Sequence, residues 1–99
     1  MHEVLTDESK WVKGTLAKDK DHKDTWPLNP EAVAWCLIGL QQLCYGGTDE
    51  YYIVMKKITD ELETITKDND RPLLLRSSWN NDPDRKFEDV RNLLLKLDI

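Results

Sequence analysis

The amino-acid sequence predicts a mainly helical α+β fold, with an all-α fold as the alternative. Two segments, at about 30–45 and 48–66, carry apolar residues at helical spacing between clear start and stop signals. A third amphipathic segment closes the chain after residue 85. Between about 11 and 28, β-prone residues flank a strongly polar run, which indicates a small β-hairpin. We therefore expect three main helices around a buried central helix at about 30–45.

The central helix is predicted from its ends and from its composition. Asn29 can cap a helix and Pro30 suits its first position, while Gly46 and Gly47 end it. Apolar side chains fall on nearly every face of residues 32–45, which is typical of a helix buried on all sides. Gly39 lies in mid-run, where glycine costs about 1 kcal/mol against alanine. We infer that another element approaches the backbone closely at Gly39.

The second and last helices each show one apolar stripe. Thr48 can cap the second helix, and the turn formers Asn69 and Pro72 follow its end. The segment 77–85, SSWNNDPDR, is predicted to be a turn-rich loop, from which Asp82 or Asp84 caps the last helix. The two stripes are Tyr51, Met55, Ile58, Leu62 and Ile65 in the second helix, and Phe87, Val90, Leu94 and Leu97 in the last.

Size, charge and cysteine usage limit the functional classes. The 99 residues predict a single compact domain, 1–99. We find neither a signal-peptide pattern nor an apolar run of bilayer length, so we expect a cytoplasmic protein without a membrane partner. The net charge is −5, and residues 48–70 hold seven acidic and three basic side chains. Clustered cations are needed to bind phosphates, so this balance disfavours direct nucleic-acid binding.

The two cysteines are expected to be structural thiols. Cys36 and Cys44 are eight residues apart, about 12 Å along a helix, which is too far for a disulfide. No second cysteine pair completes a zinc pattern, and neither histidine is placed as a base for a nucleophilic thiol. We expect no catalytic residue, no metal and no cofactor, although the sequence leaves catalytic activity open.

The strongest candidate site is the segment after Ser78. Trp79, Asn80, Asp82 and Arg85 place an aromatic ring, an amide, a carboxylate and a guanidinium ahead of a helix start, where anions and partners bind. Alternatively these residues are structural, with Trp79 in the core and the polar groups in turns and caps. A second candidate surface is the acidic side of the second helix, formed by Asp49, Glu50, Asp60, Glu61 and Glu63.

Three short motifs resemble those of a family of small proteins of unknown function from bacteria and their phages. They are Trp11 with KGTLAKD, then AVAWCLIGL around Trp35, then WNNDPDR from Trp79. The resembling positions are Trp11, Gly14, Ala17, Trp35, Cys36, Gly39, Trp79 and Asn80. Leu40 replaces a usual alanine and Asn81 a usual aspartate, so any role for a carboxylate at 81 is in doubt. The resemblance implies a bacterial or phage origin and brings no activity with it.

Together these observations favour a small acidic interaction domain without enzymatic activity. Its partner would be a protein, contacted through the acidic helix 48–66 or the 79–85 segment. By analogy with other small acidic phage proteins, the partner would be a host defence or nucleic-acid-handling factor whose action the chain modulates. The alternative is a small-ligand or enzymatic site lined by Trp11, Trp35, Trp79 and Asn80. The sequence leaves the oligomeric state open.

Overall fold

The structure, a computed structural model, describes residues 1–66 and 75–99 and has the mainly helical α+β architecture that the sequence predicts. Two strands form one antiparallel sheet, so the all-α alternative is wrong. In chain order, a 3₁₀ turn at Glu8–Lys10 precedes β1 (Ala17–Asp19), β2 (Ala32–Trp35), α1 (Leu37–Tyr45), α2 (Glu50–Thr66), α3 (Leu75–Asn81) and α4 (Phe87–Leu97).

The predicted central helix is half its expected length, because residues Ala32–Trp35 form strand β2. Asn29, expected to cap a helix, instead caps a turn: its side chain accepts from the Glu31 N–H at 3.0 Å and donates to the Thr25 hydroxyl. The helix begins only at Leu37, and Cys36 occupies its N-cap position. An asparagine that opens an Asx turn and one that caps a helix give the same sequence signal, which explains the error.

The hairpin predicted over 11–28 has a different partner strand. Ala17 pairs with Trp35 and Asp19 with Ala32, so the strand that pairs with β1 is β2. The chain does turn back after the polar tip, and the Thr25 N–H donates to the Ala17 carbonyl at 3.0 Å, but this contact is an isolated bridge between Lys18 and Asp24 and not a strand. Residues 25–31 contain Pro27 and Pro30, which have no N–H to donate to a ladder, and turns occupy this segment.

Helix α2 confirms the second predicted helix, with its buried stripe slightly rotated. Val54, Ile58 and Leu62 are its buried apolar residues, whereas Ile65 is 52% exposed. The expected stop signals Asn69 and Pro72 lie outside the described residues. In α4, Val90 and Leu94 of the predicted stripe are buried and Phe87 and Leu97 are half-buried, while Leu93, which the stripe left out, is buried as well. Neither Asp82 nor Asp84 caps α4: Lys86 is its N-cap, and the Lys86 N–H donates to the Asp89 carboxylate at 2.9 Å.

The segment predicted as a loop from Ser77 begins as a helix. Helix α3 covers Leu75–Asn81, and its buried residues are Leu75, Arg76, Trp79 and Asn80, which is one helical face. The Ser and Asn residues favour turns on their own, but packing decides the conformation of a helix this short. Trp79 and Asn80 therefore lie on a helix, and the loop is confined to residues 82–86.

The core lies where α1, α2, α3 and α4 meet the N-terminal segment. Leu5, Leu37, Leu40, Ile58 and Leu94 have no exposed surface. Trp11 and Trp35 pack against this cluster from the side of the sheet. Within residues 1–66 and 75–99, no helix combines the length and the apolar composition that crossing a bilayer requires.

Candidate functional site

The side chain of Asn80 joins three segments that are far apart in sequence. Its Oδ1 accepts from the Trp11 indole N–H at 2.8 Å and from the Leu37 backbone N–H at 3.0 Å. Its Nδ2 donates to the Val12 carbonyl at 3.1 Å and to the Asn81 side chain at 3.0 Å. We call these five residues the Asn80 cluster. With only 1% of its surface exposed, Asn80 uses its amide to fix the fold.

The three resembling motifs meet at this cluster. Asn81 accepts from the Gly14 N–H at 2.9 Å, which ties the first motif to the third. The Leu16 carbonyl accepts from the Cys36 N–H at 3.1 Å and lies against Gly39, which ties the first to the second. A cleft of about 200 Å³ opens beside Gly14, Cys36 and Asn80. The side chain of Asn81 makes its contact through an amide oxygen, so this contact needs no carboxylate.

The close approach inferred at Gly39 is present, and a backbone group makes it. A Cβ atom at Gly39 would lie 1.9 Å from the Leu16 carbonyl oxygen and 2.9 Å from its carbon. The helix α1 thus packs directly on the chain that enters β1, and glycine is the residue that permits this distance.

Cys36 is a buried capping residue. Its Sγ accepts from the Gly39 N–H at 3.3 Å, and 7% of the residue is exposed. Burial raises the pKa of the Cys36 thiol, and hydrogen bonds from the Gly39 and Ile38 backbone oppose that rise. A thiol that stays protonated near neutral pH is a weak nucleophile, so the geometry fits the structural role expected for Cys36.

Native-state labelling tests this role. With iodoacetamide near neutral pH, we expect half-buried Cys44 to react at least roughly ten times faster than Cys36, because Cys36 is reached only when the chain opens. Burial raises the pKa of both thiols, so we expect the difference between their labelling rates to come from their accessibility. Peptide mass spectrometry over time measures the two rates, and the unfolded chain, in which they should converge, is the control. Equal rates in the native protein would contradict the buried role.

Trp79 and Arg85 are in contact, as their order in the sequence suggested. The Arg85 guanidinium carbon lies 4.0 Å from the centre of the Trp79 ring, and its Nε–H donates to the Trp79 carbonyl at 2.9 Å. Trp79 is 5% exposed and belongs to the core cluster. This position agrees with the structural alternative, in which Trp79 lies in the core. Asp82 is exposed; its side chain accepts from the Asp84 N–H, and its carbonyl accepts from Lys13. Binding through these four residues stays a prediction.

Of the alternative site of Trp11, Trp35, Trp79 and Asn80, the structure brings Trp11 and Asn80 into direct contact but forms no single cleft from the four described residues. Trp11, Trp79 and Asn80 line three different clefts. Trp35 donates its indole N–H to the Pro27 carbonyl at 3.0 Å.

A buried polar contact that the sequence analysis missed joins α1 and α3. The Arg76 Nη1–H donates to the Gln41 side chain at 2.6 Å, and Gln41 donates to the Tyr51 carbonyl at 3.0 Å. Arg76 is 8% exposed, and no carboxylate of residues 1–66 or 75–99 forms an ion pair with it. Only helical spacing from Trp79 could have indicated that Arg76 faces inward.

The five acidic candidates form two groups on α2. Asp49 and Glu50 are exposed at its start. Asp60 pairs with Lys56 at 2.7 Å, and Glu61 pairs with Lys96 of α4. Ten residues of helix, about 15 Å, separate Glu50 from Asp60. Glu63 lies in the second group and is half-buried. The predicted acidic surface is therefore divided, and partner cations already offset part of its second half.

Two tyrosines lie beside the first acidic group: Tyr51, which the sequence placed in the core stripe, and Tyr52, which lies outside that stripe. Tyr52 is 66% exposed and Ile53 57%. The Tyr51 and Tyr52 rings are edge to face, with centres 5.5 Å apart. With Gln42, Gly47 and Asp49 they line a cleft of about 440 Å³. We call Asp49, Glu50, Tyr51, Tyr52 and Ile53 the tyrosine surface.

Comparison of the sequence with known proteins identifies the family of the chain. No curated protein and no solved structure matches the chain. A family model does match, over residues 1–97, which is nearly the whole length and includes every motif position described above. On that match, the chain belongs to a family of unknown function, DUF6197.

Proposed function

We propose that this chain is a non-enzymatic protein-interaction domain of the cytoplasm that binds a basic segment of a partner protein through the tyrosine surface. The observation that carries the proposal is the exposure of the consecutive residues Tyr52 and Ile53, close to the exposed acidic residues Asp49 and Glu50. Large apolar side chains exposed together on a small domain mark interaction sites, and Tyr is enriched among residues that dominate binding energy.

The charge of the tyrosine surface selects the partner's chemistry. Asp49 is the charged residue among those that line its cleft, and the neighbouring Glu50 adds a second carboxylate. Both lie at the start of α2, away from the ion pairs of Asp60 and Glu61. An Arg or Lys side chain can contact these carboxylates and stack on a Tyr ring at once. We infer a partner segment that carries a basic residue beside an apolar one.

This partner chemistry fits the origin that the sequence suggests. Proteins that handle nucleic acids carry exposed basic surfaces, and a small acidic chain can occupy such a surface. We propose that the chain is of bacterial or phage origin and modulates a host protein of this kind. The net charge of −5 supports this part of the proposal. Support for the absence of catalysis comes from Cys36, whose thiol is buried and has a raised pKa.

Affinity capture with matched variants tests the proposal. The wild-type chain, Tyr52→Ala and Lys57→Ala are immobilised and exposed to extract of the source cells, and each captured protein is then purified and its Kd measured. We expect Tyr52→Ala to weaken binding by roughly 30-fold, as for other dominant interface tyrosines. Lys57 is an exposed cation on the same helix, so Lys57→Ala should bind normally. Rising salt should weaken binding, since the contact includes ion pairs.

A different result would direct attention to another surface. Trp26 is 74% exposed and Leu28 66%, on a turn of the segment between β1 and β2. If Trp26→Ala abolishes binding and Tyr52→Ala leaves it intact, the tyrosine surface is not the binding site.

A further inference from the structure

A second cleft, between α2, α3 and α4, has an apolar wall and a charged rim. It measures about 270 Å³. Ile65, which is 52% exposed, contributes most of the apolar surface, and the buried Trp79 and Leu93 contribute only their exposed edges; Arg85 and Lys96 contribute cations. This volume is near the lower end of the ~300–1,000 Å³ that small-molecule sites occupy, so the cleft fits a compact ligand. The tyrosine surface shares none of these residues.

Arg85, which lines this cleft and the neighbouring cleft beside Trp11, is a cation with binding capacity to spare. Its contact with the Trp79 ring and its Nε–H bond to the Trp79 carbonyl hold the guanidinium in one place. Among residues 1–66 and 75–99, neither of its Nη atoms has a hydrogen-bond acceptor, and no carboxylate pairs with it. A fixed guanidinium with two free nitrogens presents the fork that binds a carboxylate.

The other charged groups in the cleft are already paired or bonded. Lys96 pairs with Glu61, and Asp89 accepts from the Lys86 N–H. In the part of the chain described, two buried donors have no hydrogen-bond acceptor, the Trp79 indole N–H and the Arg76 Nε–H; Trp79 lines this cleft and Arg76 does not.

We propose that this cleft binds a small monocarboxylate that carries an apolar group. The carboxylate accepts from the free Arg85 nitrogens, and the apolar group packs on Leu93, Ile65 and the Trp79 ring. A single charge is favoured because Glu61 and Asp89 on the same rim repel a phosphate dianion. The proposal does not depend on the tyrosine surface or on its partner.

Benzoate and its neutral counterpart benzamide test the proposal in ¹H–¹⁵N spectra of the purified chain. The four tryptophans give four indole N–H signals, and that of Trp79 reports on the cleft. We expect benzoate to shift the Trp79 signal in a saturable way, and benzamide to leave it in place. Equal shifts with both compounds, or no saturable shift with benzoate, would overturn the proposal even without a variant.

Variants then identify the cation. Arg85→Gln should weaken benzoate binding by roughly 10-fold, the loss expected for a charge-assisted bond, and Arg85→Lys should restore only part of it because it lacks the fork. Lys86→Gln is the matched control, since Lys86 is the next residue and an exposed cation that does not line this cleft. Melting curves confirm that each variant is folded. Unchanged binding in folded Arg85→Gln, or an equal loss in Lys86→Gln, contradicts the assignment.

Discussion

Gly39→Ala is expected to lower the free energy of unfolding by about 3 kcal/mol or more. A methyl group at this position would lie 1.9 Å from the Leu16 carbonyl oxygen, and the same oxygen accepts a hydrogen bond from the Cys36 N–H. Alanine gains about 1 kcal/mol over glycine in a helix interior, whereas overpacking a rigid core costs about 1–3 kcal/mol and occasionally more. The steric cost is therefore the larger of the two, and it must separate α1 from the start of β1.

Denaturant unfolding of Gly39→Ala measures this loss, and Gly14→Ala provides the comparison. Gly14 has a φ of 81°, and apart from its chain neighbours no described residue has an atom within 4 Å of the position that a methyl group would take, so alanine there adds backbone strain without a collision. We expect a smaller loss, about 1–2 kcal/mol, from Gly14→Ala. If Gly39→Ala is as stable as the wild-type chain, the contact with Leu16 is not part of the native packing.

Asn80→Ala is expected to cost about 3–5 kcal/mol, more than a helix cap alone would. The change leaves the Trp11 indole N–H, the Leu37 N–H and the Val12 carbonyl without their partner. A buried polar group without a partner costs about 1–3 kcal/mol; the Leu37 bond is buried, and the bonds of Trp11 and Val12 are partly buried and contribute less each. For a chain of this size, a loss of that order lowers Tm by roughly 15 °C or more.

Calorimetry of Asn80→Ala should be paired with Asn81→Ala. Asn81 is exposed and holds the Gly14 N–H from the surface, so we expect its replacement to cost about 1 kcal/mol. A double-mutant cycle of Asn80→Ala with Trp11→Phe should show strong non-additivity, because both changes remove the same hydrogen bond. Additive losses, or a Tm for Asn80→Ala within a degree or two of the wild type, would contradict the role of the Asn80 cluster.

The two long amphipathic helices could be predicted because their signal is local. The 3.6-residue period of α2 and α4 repeats over 17 and 11 residues, enough to outweigh any single residue. Strand β2 and helix α3 could not be predicted in this way. The first is four residues long and the second seven, and each is held by partners elsewhere in the chain. For such short elements, turn-forming residues such as Asn29 and Ser77 dominate the sequence signal.

The polar residues of the candidate site could be singled out from the sequence, but their contacts could not, and binding through them stays a prediction. Asn80 follows Trp79 directly and Arg85 lies six residues after it, and both side chains are held by specific contacts. The function of those contacts depends on partners 43 to 69 residues away for Asn80, which no local pattern can reveal. The exposure of Ile65 and the burial of Val54 likewise follow from the rotation of the α2 stripe, since one position along a helix decides between core and solvent.

The bond from Asn80 to the Leu37 N–H has a consequence for how the molecule opens. That N–H belongs to the first residue of α1, and the side chain that satisfies it belongs to the last turn of α3. Fraying of α3 at Asn80 therefore removes the cap of α1 in the same event, and it releases Trp11 as well. We therefore expect the two helix ends and the N-terminal segment to open as one cooperative unit, with amides that exchange with solvent at a common free energy of opening.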